Sequence, residues 1–305
     1  MFCSLLVQYS LILEDVSKAF GAKLAVNRIS AAIPEGSIYG FLGPNGAGKT
    51  TTIRMVMSIL YPDSGRVSVL GGAPESVKDR LGYLPEEKGL YKKMKVAELI
   101  AYFGRLKGMK RVVAQDRARS LLADFGLAHC ADQRCDTLSK GMGQKVQIIS
   151  TLMHEPELVI LDEPFSGLDP INVETVRQVI LDLKRAGRTV IFSTHVMEQA
   201  EQICDAILLI HDGHKVIDGT LAEVKGNFKP TVLVEYEGNP AQLFNLPGVV
   251  RVNDMGAVAE LSLSDNADPQ VILKQLVATM PIRSFQIKAP SLHEIFVRTV
   301  GSATP

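Results

Sequence analysis

One stretch of the chain reads Ile38-Tyr-Gly-Phe-Leu-Gly-Pro-Asn-Gly-Ala-Gly-Lys-Thr-Thr51, an apolar run that breaks into glycines and ends on a lysine and two threonines. It contains the pattern G-x-x-x-x-G-K-[ST], which is typical of a phosphate-binding loop between a strand and a helix. Glycine lets backbone N–H groups approach a phosphate, and the helix N-terminus adds the positive end of its dipole. The pattern predicts that Lys49 reaches the β- and γ-phosphates and that the Thr50 hydroxyl binds Mg²⁺.

The composition is that of an ordinary globular protein. The chain has 305 residues, 46% of them hydrophobic, which is enough for one large domain and a small one. Lys+Arg and Asp+Glu both total 33, so the net charge is zero and nothing in it indicates a polyanion-binding protein. The four cysteines lack zinc-type spacing, which favours reduced thiols. Residues 1–10 are apolar without a basic leader, and we interpret them as an extension of the first strand or as an early start codon.

Two further apolar runs end on polar side chains that suit the same chemistry. Leu158 to Leu161 predicts a buried strand followed by Asp162 and Glu163, and Thr189 to Thr194 predicts another that delivers His195. Ligands bind at the carboxyl edge of an open α/β sheet, so these groups are expected to meet the phosphate loop there. Acids after a strand are otherwise solvated or capping, and a lone histidine is more often structural; the phosphate loop favours the functional interpretation.

Asp162 is suited to holding Mg²⁺ directly or through water, and Glu163 to polarising an attacking water. His195 is suited to donating a hydrogen bond to a γ-phosphate oxygen. Phe20, an aromatic residue ahead of the loop, is suited to stacking on a base, although a half-buried aromatic at a strand end is the simpler interpretation of Phe20 alone.

The middle of the chain, from about residue 87 to residue 150, has a helical pattern. Apolar residues recur at three- and four-residue spacing over Val96–Leu106 and Ala118–Phe125, which predicts a helical insertion within an α/β domain. Ser139 is expected at or near the N-cap of a helix over Gly143–Met153. This polar start is either an ordinary helix start or a second anion site.

The last part of the chain differs in composition. We predict strands at Thr231–Tyr236, Val249–Val252 and Val258–Leu263, a helix over Asp268–Met280, and a final helix that opens on a capping box at Ser291. The expected division is 1–228 for the nucleotide domain and 229–305 for a small α+β accessory domain without a catalytic set.

In their order along the chain, these motifs resemble those of the ATP-binding cassette (ABC) family. The resemblance covers about residues 11 to 225. It implies an α/β P-loop NTPase fold with a parallel sheet core, an antiparallel β subdomain and a helical subdomain. The runs Leu84–Tyr91, Leu138–Met142 and Ser291–Phe296 are most similar to bacterial sodium-extrusion and antibiotic-export ATPase subunits.

The resemblance implies a cytoplasmic ATPase that is peripheral on the cell membrane, pairs with a second ATPase subunit, and couples ATP hydrolysis to a separate membrane-spanning permease. Ser139 and Gly141 would contact ATP from the opposite subunit of a head-to-tail dimer. The implied catalytic residues are Glu163, His195 and Lys49, and the implied Mg²⁺ ligands are Thr50, Glu86 and Asp162. The implied ATP-binding residues are Phe20, Gly43, Pro44, Asn45, Gly46, Ala47, Gly48, Lys49, Thr50, Thr51, Glu86, Ser139, Gly141 and Asp169.

This sequence departs from the family pattern at two places. Glu86 stands where the family usually has glutamine, and Ser139-Lys-Gly-Met142 replaces the usual Ser-Gly-Gly-Gln. Glutamate adds negative charge near the triphosphate, and Lys140 adds positive charge that would compensate. A soluble ABC ATPase acting on nucleic acid or ribosomes is the alternative, but the chain has one cassette, no long insertion and no basic arm. A GTPase-type switch fails because no Asn-Lys-x-Asp run occurs.

Overall fold

The computed structural model describes residues 8–86, 89–228, 231–264 and 267–301, which divide into two units between Gly219 and Thr220. This division comes earlier in the chain than the boundary at residue 228 that composition predicts. The predictions for residues 1–7, and those for Glu87 and Lys88, lie outside the described residues. Among the described residues, no helix combines the length and the apolar character needed to cross a membrane.

The first unit contains two described sheets. Its strands are β1 (Tyr9–Phe20), β2 (Lys23–Pro34), β3 (Ile38–Leu42), β4 (Ser64–Val69), β5 (Leu81–Leu84), β6 (Leu158–Asp162), β7 (Thr189–Thr194), β8 (Ala206–His211) and β9 (His214–Thr220). One sheet is antiparallel with the order β2-β1-β4, and the other has the order β5-β6-β7-β3-β8-β9. The parallel core and the antiparallel subdomain implied by the sequence are thus both present.

The centre of the larger sheet is buried on both faces. Every residue of β3, β6 and β7 is buried, as expected of parallel strands covered by helices on both sides. The parallel register pairs Leu42 with Thr194 and Asp162 with Ser193, so the carboxyl ends of these three strands lie side by side. An Asp-Gly turn joins β8 to β9 as a hairpin, with φ of 46° at Asp212 and 77° at Gly213.

The helices of the first unit flank this sheet or belong to a separate cluster. They are α1 (Lys49–Val56), α2 (Val96–Leu106), α3 (Arg111–Asp124), α4 (Lys140–Leu152), α5 (Pro170–Arg185) and α6 (Met197–Ile203). The helices α2, α3 and α4 share an apolar cluster around Leu99, Leu122 and Ile149, distinct from the core around Phe41. The bounds of α2 match those predicted from its apolar spacing.

The helix after the phosphate loop ends earlier than its sequence suggests. Apolar residues continue to Leu60, but α1 stops at Val56 because Ser58 takes a left-handed conformation with φ of 51°. The N–H groups of Ile59 and Leu60 then bond to the carbonyl of Arg54, which closes the helix end.

The second unit is an α+β domain. It contains α7 (Leu221–Gly226), β10 (Thr231–Tyr236), β11 (Val249–Asp254), β12 (Val258–Leu263), α8 (Pro269–Thr279), β13 (Ile282–Lys288) and α9 (Leu292–Gly301). The strands form an antiparallel sheet with the order β11-β12-β10-β13. Val232, Leu261 and Leu276 lie in its core. The predicted capping box forms at Ser291 with Glu294, and a second capping box is present at Thr220 with Glu223.

Candidate nucleotide-binding site

The loop between β3 and α1 requires glycine at two positions for different contacts. Gly43 has φ of 147°, and a Cβ added there would lie 2.1 Å from the carbonyl oxygen of Ile210. Gly48 has φ of 110°, and its added Cβ would lie 2.4 Å from the carbonyl oxygen of Ala25. A side chain at either position would meet backbone that cannot move away cheaply, so the curved path of the loop depends on both glycines.

The same loop is braced by the β8–β9 hairpin. The N–H of Gly213 donates to the carbonyl of Ala47 at 2.9 Å, and the N–H of Asn27 donates to the carbonyl of Gly213 at 2.8 Å. The hairpin turn therefore lies between strand β2 and the phosphate loop and bonds to both. This holds the loop in shape independently of any ligand.

Lys49, the first residue of α1, is buried beneath the loop. Its Nζ donates to the carbonyls of Gly43 and Pro44 at 2.7 and 3.1 Å, and lies 3.7 Å from Oε1 of Glu163. Burial lowers the pKa of the Lys49 amine, and the negative charges of Glu163, Asp162 and Glu86 oppose that shift. The ammonium is thus held at the centre of the site by oxygen atoms.

Asp162, the last residue of β6, is fully buried at 0% exposure. Its Oδ1 accepts hydrogen bonds from Ser193 Oγ at 2.5 Å and from Thr50 Oγ1 at 3.3 Å. Its Oδ2 is buried and has no hydrogen-bond partner within the described part of the chain. Burial raises the pKa of the Asp162 carboxyl, although the two hydroxyl donors oppose the shift.

This donor set fits a magnesium ion. Mg²⁺ prefers oxygen ligands, and it is commonly held by one or two carboxylates together with phosphates and water. A buried carboxylate oxygen without a partner, beside the Thr50 hydroxyl and behind a phosphate-binding loop, provides such a ligand.

The main chain bends at Glu163, the residue after Asp162. Its backbone is left-handed, with φ of 49°, and its N–H donates to Ser193 Oγ at 2.9 Å. The side chain is 6% exposed, and its Oε1 lies 3.0 Å from Nδ1 of His195. Lys49, at the start of α1, and His195, directly after β7, therefore both approach the same carboxylate oxygen of Glu163.

A cavity of about 490 Å³ opens in front of these groups. Phe20 at the end of β1 is half exposed and lines it, with the Lys18 ammonium 5.9 Å from its ring centroid. Glu86 lines it too. The complete lining is Phe20, Lys23, Ala25, Asn45, Gly46, Ala47, Gly48, Lys49, Thr50, Thr51, Glu86 and Glu163. Gly43, Pro44, Asp162 and His195 are joined to this lining through the hydrogen bonds described above.

Residues 26–166 match the ABC transporter family, and residues 219–300 match the C-terminal domain of the ATP-binding protein DrrA1-3-like family. The chain is similar over nearly its whole length to the uncharacterized ABC transporter ATP-binding protein YhaQ of Bacillus subtilis (strain 168). The identity is 38% over 294 residues, which cover 96% of this chain and 99% of that protein. This chain belongs to the family of ABC transporter ATP-binding proteins.

A second relative and a solved structure agree with this assignment. The Nod factor export ATP-binding protein I of Rhizobium sp. (strain N33) is 35% identical over 297 residues, covering 95% of this chain and 96% of that protein. A solved structure of the ATP-binding subunit of an ABC transporter superposes with a TM-score of 0.66 at 30% identity, covering 72% of this chain and 92% of that one. ABC transporter ATP-binding subunits bind and hydrolyse ATP and work with separate membrane permeases, so this chain is an ATPase subunit of a transporter.

Besides Gly43 and Pro44, three residues predicted to contact ATP lie outside the cavity lining. Ser139 caps α4, its Oγ accepting from the N–H of Met142 at 3.3 Å. Gly141 packs against Asn172, whose Nδ2 would lie 2.4 Å from a Cβ at that position. Asp169 caps α5 and accepts from the N–H of Asn172 at 3.0 Å. All three are at the N-termini of α4 and α5, and the sequence resemblance assigns Ser139 and Gly141 to the ATP of the opposite subunit.

Sequence reasoning missed two buried groups that organise the site. Ser193 bonds to both Asp162 and Glu163, and no sequence signal distinguishes it from Thr189 and Thr194, the other hydroxyl residues of β7. Gln144 is buried on α4, and its Nε2 donates to the carbonyl of Pro164 at 2.9 Å. Its signal was the four-residue spacing from Lys140, which places both on one face of α4.

Lys140 lies on that face as well. Its Nζ would be 2.0 Å from a Cβ added at Gly167, so the lysine side chain covers the glycine of the turn before α5. The helix α4 thus contacts the segment after Glu163 at both Pro164 and Gly167.

Proposed function

We propose that this chain is the ATP-hydrolysing subunit of an export-type ABC transporter, in which closure of two ATPase subunits over ATP drives a separate permease. The observation that carries the proposal is the convergence of Lys49, Asp162, Glu163 and His195 at the carboxyl edge of one sheet. Export is favoured by the similarity to the Nod factor export ATP-binding protein I over nearly the full length of both chains.

The proposed roles follow from where each group lies. Glu163 accepts the proton of an attacking water, because it is the carboxylate beside the loop that is held by a basic neighbour on each side. His195 orients Glu163 and faces the position of the γ-phosphate. The Lys49 ammonium binds the β- and γ-phosphates in place of the carbonyls of Gly43 and Pro44.

We propose Thr50, Asp162 and Glu86 as the residues that hold Mg²⁺. When bound, the ion would neutralise the negative charge that develops during phosphoryl transfer. Ser193 keeps Asp162 oriented for this role, since its hydroxyl donates to the oxygen opposite the unpartnered one. Phe20 at the cavity mouth stacks on the adenine.

The loop from Gly43 to Thr51 cradles the phosphates, with the backbone N–H groups of its non-proline residues as donors. Ser139, Gly141 and Asp169 act across the dimer, on ATP bound by the second subunit. Lys140 brings positive charge toward the triphosphate and offsets the charge of Glu86. Residues 1–228 form the ATP-binding part, with a helical subdomain over about 87–150, and residues 229–305 are an accessory domain.

We further propose that the subunit lies on the cytoplasmic face of the membrane, against its permease, and does not act on nucleic acid. The alternative of a soluble ABC ATPase working on nucleic acid or ribosomes is less favoured, because the relatives named above are transporter proteins. Export of Na⁺ and export of a drug-like molecule are the two cargo classes suggested by the resemblance.

The test begins with Lys49→Ala and the exposed control Lys78→Ala. Mg-dependent phosphate release from ATP should disappear in the first variant and stay at the parental rate in the second. The wild-type chain should then co-purify with the permease encoded beside it, and vesicles containing both should export either Na⁺ or a drug upon ATP addition. Normal ATPase activity with stable association to ribosomes or nucleic acid, and with no permease, would overturn the transport proposal while leaving the ATPase assignment intact.

A further inference from the structure

Positive charge is concentrated in one part of an otherwise neutral chain. Residues 89–115 carry seven basic side chains and one acidic one, Glu98, for a formal charge of +6. Since the whole chain has zero net charge, the remaining residues carry −6. The seven basic residues are Lys92, Lys93, Lys95, Arg105, Lys107, Lys110 and Arg111. This segment spans α2, the turn after it and the start of α3.

Most of this charge is available to an outside partner. Lys107 is the exception, because its Nζ donates to the carbonyls of Lys78 and Leu81. The other six side chains are exposed, and none of them forms an ion pair with an acidic residue in the described ranges. By contrast, nearby Arg117, Arg119 and Arg134 each form such a pair.

Exposed apolar side chains are interleaved with these charges where α2 turns into α3. Leu106 is 62% exposed and Val112 is 68% exposed, and Val113 beside it is also exposed. A shallow depression of about 410 Å³ lies at the turn, with Arg105 and Arg111 among its lining and Tyr102 at its side. The Tyr102 ring packs edge-on against Tyr91, with ring centroids 5.9 Å apart, so two exposed tyrosines adjoin the turn.

We propose that this turn surface, formed by Arg105, Leu106, Lys110, Arg111, Val112 and Val113, binds the headgroup layer of an anionic lipid bilayer directly. Guanidinium groups match phosphate geometry, and Lys and Arg near a negatively charged leaflet are attracted to it. Aliphatic side chains enter the boundary below the headgroups, and tyrosines favour the same depth.

A lipid surface fits these side chains better than an acidic protein does. An acidic protein would pair with the charges but would leave Leu106 and Val112 needing a separate apolar pocket. A fluid headgroup layer accepts both kinds of side chain without a fixed pattern. The −6 charge on the rest of the chain is repelled by the same surface, which would orient the protein with its α2–α3 turn toward the bilayer.

This inference goes beyond the proposed function, since it requires neither a permease nor ATP. Binding to protein-free vesicles therefore tests it alone. A failure to bind protein-free vesicles would leave the transporter assignment in place. A failure to find a permease would leave the lipid-binding proposal in place.

The first experiment is co-sedimentation of the full chain with phosphatidylcholine vesicles that contain about 30% phosphatidylserine, and with pure phosphatidylcholine vesicles. The test variant is Arg105→Gln, Lys110→Gln, Arg111→Gln. The matched control, Arg66→Gln, Arg251→Gln, Lys274→Gln, removes the same charge from exposed sites outside the segment. We expect wild type and control to bind only the anionic vesicles. The test variant should bind them roughly a hundredfold more weakly, because each of the three basic residues contributes a similar share of the binding free energy.

The second experiment uses the absence of tryptophan from the sequence. Val112→Trp and Val250→Trp each place a single exposed indole, on the turn surface and in the second unit respectively. Anionic vesicles should shift the fluorescence of the first to shorter wavelength and leave that of the second unchanged. Equal loss of binding in both charge variants, equal shifts in both tryptophan variants, or binding that appears only when the permease is present would overturn the proposal.

Discussion

The Nζ atom of Lys49 lies 3.7 Å from Oε1 of Glu163, and both side chains are buried. Lys49 begins α1, after the loop that follows β3, and Glu163 directly follows β6; the two are brought together because β3 and β6 flank β7 in the sheet. His195 Nδ1 contacts the same Glu163 oxygen at 3.0 Å. A phosphate that draws Lys49 toward itself would leave Glu163 oriented by His195 alone, which links occupation of the loop to the environment of the proposed base.

Glu163→Gln should leave ATP binding intact and reduce hydrolysis by about a hundredfold or more, because a glutamine keeps the shape but cannot accept the proton. Phosphate release and nucleotide binding should be measured on the same preparation. Glu157→Gln, which removes an exposed carboxylate paired with Arg80, is the matched control and should keep the parental rate. Hydrolysis by the Glu163 variant at that same rate would remove Glu163 from its proposed role.

Asp162→Asn should abolish Mg-dependent hydrolysis yet stabilise the ligand-free protein by about 1 kcal/mol, because it removes a buried charge while keeping an oxygen for Ser193. The folded pKa of Asp162 is raised, so its contribution to stability is fully present below the unfolded pKa and is lost as pH rises through the folded pKa. The stability advantage of the variant in urea should therefore widen as the pH rises. An advantage that shrinks over that range would contradict the assignment.

Gly48→Ala should destabilise the protein by about 2–4 kcal/mol, because an alanine would be strained in its conformation and its Cβ would meet a backbone carbonyl. Gly46→Ala is the control: Gly46 also has positive φ, of 79°, but an added Cβ meets nothing within 4 Å. Strain alone should cost this control about 1–2 kcal/mol. Equal losses for the two variants in urea titrations would show that the contact with Ala25 has no effect.

Gln144→Leu should lower kcat for ATP several-fold with little change in KM. The substitution removes the bond that fixes the Pro164 carbonyl next to Glu163, and a buried carbonyl left without its donor costs about 1–3 kcal/mol. Gln144→Glu should not rescue activity, because a carboxylate cannot donate that bond, and Gln115→Leu on the exposed face of α3 should have no effect. A change in KM alone would argue against a positioning role.

Sequence patterns predicted the elements of this fold correctly where side chains close together in the sequence determine them. The apolar spacing of α2 and the hydroxyl-to-glutamate spacing of the capping boxes depend on neighbours close in sequence, and both matched. The end of α1 did not match, because the left-handed turn at Ser58 is not indicated by the apolar residues that continue beyond it. The length of strands β1 and β2 depends on cross-strand pairing, which continues through polar residues.

The candidate site shows the same division. The phosphate loop and the two acids could be found because each has a local signature of residue types. Ser193 and Gln144 could not, since their importance arises from contacts with residues distant in the chain, at Asp162 and at Pro164. Such contacts depend on the order of strands in the sheet and on where α4 packs.

Glu163 has a conformation that L-amino acids other than glycine adopt at a cost of about 1–2 kcal/mol. The hydroxyl of Ser193 accepts a hydrogen bond from the Glu163 N–H and keeps the main chain in that bend. Anyone grafting this pair of acids onto the rim of a different protein would therefore have to copy the bend and the neighbouring serine as well. With the two carboxylates alone, on extended backbone, the second would point to the opposite face of the sheet from the first.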